Sequence, residues 1–310
     1  MATQKMTLSQ LGGWSNEQAR EYLESIRWAS GAACPRCGDT AVTKLQGKST
    51  RPGVYKCKGC RKPFTVTVGT IMERGHVELR HWVMAFFLMC SSKKGISALQ
   101  LQRQLGIGSY KTAWFFCHRV REAMTQQPLA GLLSGIVEVD EAYIGGKPRN
   151  KGLRFNNKRG AGTPKAPVMV LVERGGNARA LALQKVTPKN LKNAIRENVE
   201  RSATIMSDEH PFYQGIGKEY AGGHHTTKHL AGEYLRGEVH SNTAESFFAI
   251  VKRSVNGTHH HWSKQHLARY MNERAFVWNH RKATDEERTI SAIRAIEGKR
   301  LLYRDTQPPA

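Results

Sequence analysis

The sequence predicts a multidomain chain of α+β and α/β character, with a small ribbon and a helical region first and a mixed α/β core after them. Three observations predict it. Two C-x2-C pairs stand nineteen residues apart near the start, helix-period apolar spacing fills most of 76–124, and from about Gly131 the texture changes to short β-rich runs around a helical stretch. The division that follows is 1–72 for an N-terminal helix and ribbon, 73–128 for a helical region, 131–290 for the core and 291–310 for a C-terminal tail, of which the last residues, "DTQPPA", are polar.

Residues 15–29, "SNEQAREYLESIRWA", open with a capping Ser or Asn, place an acid in the first turn and set Ala19, Tyr22, Leu23 and Ile26 on one face. That pattern predicts a short amphipathic helix. Next come "CPRCGDT" and "YKCKGCRKPFTVTVGT", which carry Cys34, Cys37, Cys57 and Cys60. Each pair fits a tight turn, eased by Gly38 and Gly59, so that four thiolates converge tetrahedrally on a structural Zn²⁺. A disulfide scaffold is the weaker reading, because a chain of 310 residues buries enough apolar area to fold without staples.

Residues 76–93 predict a second helix rich in Trp82, Phe86, Phe87 and Leu88, with Cys90 on its apolar face. Cys117, further on, also reads as a core thiol. "GISALQLQRQLGIGSYKTAWFFCHRVREAM", from Gly95 to Met124, has a break at Gly106–Gly108 and a cap at Ser109. It predicts a helix-turn-helix whose second helix offers Lys111, Trp114 and Arg119 to DNA. Two core helices joined by a turn are the plain alternative, and the basic context favours DNA.

Forty-eight Lys and Arg against 25 Asp and Glu give a formal net charge of +23. Basic ribosomal and membrane-surface proteins share such a balance, but an excess spread through most of the chain points to nucleic acid. Residues 147–165 hold Lys147, Arg149, Lys151, Arg154, Lys158, Arg159 and Lys165 with no acid, which reads as a basic DNA-contacting loop or as a solvated linker. The sequence opens without a charged segment followed by an apolar core, and its longest apolar run, "WVMAFFLMC", is too short to span a bilayer. A soluble, cytoplasmic protein without membrane partners is expected, nucleoid-associated when bound to DNA.

In the core, "GIVEVDEAYIG" ends an apolar run on Asp140 and "ATIMSD" ends another on Asp208, with further strands at 166–176 and 178–186 and a helix at about 188–200. "HSNTAESFFAIVKR", from His240 to Arg253, has the apolar spacing of a half-buried helix, on which Asn242 and Glu245 lie about one turn apart and Glu245 and Lys252 share a face. Clustered carboxylates repel one another and raise each other's pKa, so a hard divalent cation is their natural partner. Two such ions suit in-line chemistry at a phosphodiester. Taken singly, Asp140 also fits a strand-terminal turn former, and Glu141 a solvated neighbour.

Together "CPRCG", "YKCKGCRKPFTVTVGT", "VEVDEAYIGG", "SDEHPFY", "HSNTAESFFAIVKR" and "HHHWSKQHLARYMNERAFVWNHR" make the chain resemble, over about 15–290, the zinc-ribbon-bearing DDE transposases of bacterial insertion sequences. The branch is the one whose third acidic position is Glu or Asn followed by Lys, with an ISXO-type domain. The resemblance implies a ribonuclease-H-like catalytic core, two catalytic Mg²⁺ or Mn²⁺ ions, and cleavage and strand transfer at element ends. It implies Asp140 and Asp208 as the first two catalytic acids, Glu245 as the third, and Lys252 as the cation that follows. Asn242 stands at the "HxN" position that part of the family uses for the third ligand; Glu245 is favoured because its charge binds Mg²⁺ more tightly. Lys252 and Arg253 then contact DNA, and a homodimer or larger synaptic assembly is expected, since two ends are handled together.

His240 fits a phosphate contact or an ordinary hydrogen-bonded histidine equally. His259–His261 are discounted as a metal site, because three successive residues cannot face one point. "HLARYMNERAFVWNH", 266–280, predicts a long helix whose aromatics are core more than stacking platform. Tyr143 is not required as a nucleophile, since no covalent intermediate is needed. Two other functions share these features: a zinc-ribbon regulator with an inactive core, and a metal-dependent nuclease without strand transfer.

Overall fold

The computed structural model describes residues 6–47, 49–125, 131–145, 163, 165–227 and 240–307. They form two compact units, Met1–Met124 with Lys282–Ala310, and Thr125–Arg281.

In the first unit, α1 (Leu8–Gly12) and α2 (Asn16–Arg27) each begin at a capping box, Thr7 with Gln10 and Ser15 with Gln18. Three short antiparallel strands follow: β1 (Val42–Lys44), β2 (Tyr55–Cys57) and β3 (Pro63–Phe64). Behind them Trp28, Tyr55 and Phe64 pack ring on ring, with centroids 5.0 to 5.8 Å apart. The ribbon's own apolar cluster is small, with Cys34, Cys57 and Phe64 as its buried members.

α3 (Leu79–Ser91) buries Trp82, Val83, Ala85, Phe86, Phe87, Met89 and Cys90, a spread that leaves it covered on most sides. α4 (Ala98–Leu105) ends at Gly106 in the left-handed conformation, φ 63°, where a side chain is strained. α5 (Tyr110–Ala123) starts at a Ser109 cap that accepts from the Thr112 amide. The two pack together as the helix-turn-helix spacing predicts, and Cys90 and Cys117 are both fully buried.

The second unit contains a five-stranded mixed sheet made of β4 (Ile136–Ile144), β5 (Ala166–Glu173), β6 (Ala178–Ala182), β7 (Thr204–Asp208) and β8 (His224–Thr227). The order is β6-β5-β4-β7-β8, with β4, β5 and β6 antiparallel to their neighbours in turn and β7 and β8 parallel to β4. That is the ribonuclease-H-like arrangement.

β4 alternates, so each face has its own core. Val137 and Val139 pack with Leu191, Ile195 and Tyr213, on the side of α6 (Pro188–Asn198). The opposite face, with Val168, Val170 and Val172 of β5, is covered by α7 (Asn242–Ser254) and α8 (Leu267–Asn279), which bury Phe247, Phe248, Val251, Tyr270 and Met271. Phe276 is buried and Trp278 partly so, which makes the aromatics of α8 largely core, and His259 packs on the rings of Trp262 and Tyr270.

The chain then supplies α9 (Asp285–Arg294) to the first unit, where it packs on α3 and α2. The sequence division assigned 282–290 to the core and 291–310 to a tail, whereas the described residues 282–307 group with the N-terminal helices. The reason is the apolar surface of α3: Ala292 and Ile293 are fully buried, and Arg288 donates to the Cys90 carbonyl at 2.8 Å. Among the described residues no helix is long and apolar enough to cross a membrane.

Candidate active site

Asp140 and Asp208 lie on the two central parallel strands. The β4–β7 register pairs Glu138 with Met206, and two residues further along both strands bring Asp140 level with Asp208. By strand alternation both belong to the face that α7 covers, Asp208 as the last residue of β7 and Asp140 at the middle of β4, which runs on to Ile144 instead of ending at the acid. Glu245 is in the first turn of α7, and its charge reaches Asp140. Burial, then the charges of Glu141, Asp208 and Glu245, raise the Asp140 carboxyl to about 7. The acids are therefore near enough to oppose one another's ionisation.

The start of α7 is fixed by a residue the sequence reading passed over. Ser241, the capping residue, makes no side-chain cap bond. In its place the fully buried Glu138 carboxylate of β4 accepts from the amides of Thr243 (2.7 Å) and Ala244 (3.0 Å) and from the Thr243 hydroxyl (3.0 Å). Arg174 donates to the same carboxylate at 2.6 Å and to the His240 carbonyl at 2.8 Å, and His240 Nδ1 stands 3.3 Å from Glu138. An anion at a helix N-terminus satisfies orphan amides and the helix dipole together. Glu138 lies two residues before Asp140, so it shares its face, and that parity in "VEVDE" is the signal that could have found it.

Glu141 is not the solvated neighbour the sequence suggested. It points to the opposite face, where the Tyr213 hydroxyl donates to its carboxylate, and burial raises it to about 7 against the lowering effect of that bond. Asp208 accepts from the His210 amide at 3.1 Å, which fixes the turn after β7.

The four-cysteine cluster of the ribbon is tighter. Cys34 Sγ and Cys60 Sγ are 3.6 Å apart, as are Cys37 Sγ and Cys57 Sγ. Among the described residues this is the one group of three or more Cys, His, Asp or Glu whose donor atoms all lie within 4.8 Å; the carboxylates of Asp140, Asp208 and Glu245 are more widely set. Cys57 is pushed up to about 12: a bond from the Cys60 amide lowers it, but burial and the neighbouring thiols outweigh that. For Cys34, burial is outweighed by bonds from the Arg36 and Cys37 amides, giving about 7. Four thiolates this close need a cation, and an all-sulfur set of four fits Zn²⁺. Gly38 takes a left-handed φ of 76°, as a tight turn needs, but at the second turn the left-handed residue is Arg61, φ 58°. Gly59 serves instead to let the Asp39 carboxylate approach its amide at 3.0 Å.

Comparison with known proteins settles the family. Residues 14–63 match a transposase zinc-ribbon domain and residues 132–279 match an ISXO2-like transposase domain. A protein of Halobacterium salinarum described as an uncharacterized protein in transposable element ISH50 is 30% identical over 273 residues, which cover 84% of this chain and 90% of that relative. The chain belongs to the ISXO2-like transposase family. No solved structure matches it.

The remaining candidates of this ISXO2-like transposase sort by exposure. Asn242, Glu245, Lys252 and Arg253 are exposed along α7, and Lys111 is exposed at the start of α5. Trp114 is half-buried and packs edge to face on His118 at 4.3 Å. Arg119 is only 7% exposed; it donates to the Glu73 carbonyl at 2.7 Å and lies over Trp82, which makes it a pocket wall more than a surface cation. Lys147, Arg149, Lys151, Arg154, Lys158 and Arg159 lie outside the described residues.

Proposed function

We propose that this ISXO2-like transposase binds the ends of its element, cuts them with two divalent ions and joins the freed 3′-OH to target DNA. The observation that supports the reading is the place of Asp140 and Asp208 on neighbouring parallel strands with Glu245 in the first turn of the helix that covers that face; burial and Glu141 raise Asp140 most, and the charges of Asp208 and Glu245 add to it. Hard carboxylate oxygens suit Mg²⁺ or Mn²⁺. When bound, such ions activate the attacking oxygen and stabilise the leaving one.

The chain's own residues have distinct tasks. Asp140 and Asp208 are held by neighbouring strands, so their spacing is set by the sheet. Asp140, with a pKa of about 7, exchanges its proton for a cation at neutral pH. Glu245 completes the ligand set from α7, because its charge attracts a hard cation more than the neutral Asn242 does. Asn242, one turn earlier, contacts the substrate or supplies a further oxygen. Lys252 and Arg253 place positive charge along the same helix, where the phosphate backbone passes. The four cysteines hold a structural zinc that orders the ribbon. α5 lies on the DNA in the manner of a recognition helix, with Lys111 at its leading end. Two copies act together, one at each element end.

The test is a joining assay: protein, a duplex carrying the element ends, and a supercoiled target in Mg²⁺. Joined products support the reading. Nicked ends without joined products indicate a nuclease, and binding without cutting indicates a regulator.

A further inference from the structure

Beside the first turns of α5 the first unit has a pocket of about 330 Å³. That lies at the lower end of small-ligand sites, which start near about 300 Å³. Its lining is of two kinds. Phe115 and Tyr303, edge to face with centroids 5.5 Å apart, form an aromatic side. Arg74, Lys111, Arg119 and His76 form the other, and no carboxylate is among the described lining residues.

Several of these groups are held against their preferences. Arg74 has φ 54°, a left-handed conformation that non-glycine residues rarely adopt and that recurs at ligand clamps. Gly75 keeps the wall thin, since a Cβ there would sit 3.0 Å from Arg119 Nη1. Arg119 is more than nine-tenths buried, and its Nε finds no acceptor among the described residues. Lys111 Nζ stands 4.7 Å over the Tyr303 ring, within cation–π range but open to solvent.

We propose that this pocket takes one unstacked nucleotide of the DNA substrate, its base against Phe115 and Tyr303 and its phosphate among Arg74 and Lys111. The inference rests on the DNA-binding reading given above. A phosphate alone would use the cations and leave the aromatic side unused, and an apolar side chain would bury against Arg74 and Lys111, to which the described lining offers no carboxylate. A nucleotide satisfies both halves, since any base has a π-face for an aromatic ring and its phosphate is an anion. A base still paired within a duplex cannot enter, so the occupant must be extruded or at a frayed end.

The full chain is titrated, by fluorescence anisotropy, with a fully paired duplex and with the same duplex carrying one bulged 2-aminopurine nucleotide; dAMP serves as competitor. The bulged duplex should bind on the order of tenfold tighter, the return expected for one base stacked on an aromatic ring. Its 2-aminopurine emission should change on binding. Lys111→Ala and Tyr303→Leu should remove that preference. Lys185→Ala, which deletes an exposed charge in the other unit, should keep it. Both pocket substitutions are at exposed positions, and their folding is to be checked by circular dichroism. Equal affinity for the two duplexes overturns the pocket assignment and leaves DNA binding standing. Equal affinity together with tight dAMP binding that Tyr303→Leu abolishes also overturns it, in favour of a free-nucleotide site. Failure to bind either duplex overturns the DNA reading and this inference with it.

Discussion

The backbone amide of Ala244, in α7, donates to the carboxylate of Glu138, in β4, at 3.0 Å. This bond joins residues 106 positions apart and fixes the start of the helix that carries Glu245 against the strand that carries Asp140. A site made of three separate elements depends on such ties, because a helix free to slide by a fraction of a turn would move its ligand out of range.

Removing that tie should cost both stability and activity. Glu138→Ala takes this acceptor away from Arg174 and two helix amides, and breaking a buried pair of this kind costs about 3 to 5 kcal/mol. Urea unfolding of the variant should show the loss as a lower midpoint. Glu138→Gln retains shape without charge and should recover part of the stability. An unchanged midpoint in Glu138→Ala would show that α7 is held by its apolar face alone.

Asp140 and Glu141, each raised to about 7 chiefly by burial, make the metal-free protein sensitive to pH. A carboxyl raised in the folded state stabilises fully below its unfolded value, near about 4, and that contribution is lost as pH rises through the folded value. In buffer without divalent ions the thermal midpoint should therefore fall between about pH 4 and pH 8. Mg²⁺ should restore it most at the alkaline end, since it binds the ionised form. Asp140→Asn should flatten the profile. A midpoint that rises over that range would contradict the assignment.

Much of the site was legible in the sequence, and the parts that were not have physical reasons. Asp140 and Asp208 stand out because each ends an apolar run, and Glu245 because α7 is strongly periodic. Glu138 was missed because its meaning depends on which face of β4 receives α7, a contact made 105 residues away. The same alternation separates Glu141 from Asp140 although they are adjacent. α9 had a readable start, with Thr284 and Glu287 forming a capping box, but its few apolar residues give no sign that α3 needs covering. Tyr303, in the C-terminal tail, acquires its neighbours Phe115 and Lys111 only in the fold.

The ribbon should hold one zinc per chain. Cys57 is fully buried and its thiol is raised to about 12, so only a cation makes the thiolate favourable there. Cys57→Ser should lower the zinc content measured by mass spectrometry towards zero and weaken end binding. The pH profile set by Asp140 should be unaffected, because Asp140 belongs to the other unit. Full zinc retention in Cys57→Ser would rule out this centre.

Asn242→Ala and Glu245→Ala separate the two candidates for the third ligand. Glu245→Ala should abolish cleavage at any practical Mg²⁺ concentration. Asn242→Ala should reduce it by about tenfold to a hundredfold, the usual range for losing a contact outside the ligand set. The reverse order would assign Asn242 to the metal.

The most direct test of the catalytic site is single-turnover cleavage of a labelled element-end duplex in Mg²⁺ by the wild type and by Asp140→Asn, Asp208→Asn and Glu245→Gln, with duplex affinity measured alongside. Each variant should bind within a few-fold of wild type and lose at least about 10³-fold in cleavage rate, as removal of a group essential to the reaction does. Mg²⁺-dependent cleavage at the wild-type rate in Asp140→Asn would place the active site elsewhere in the chain.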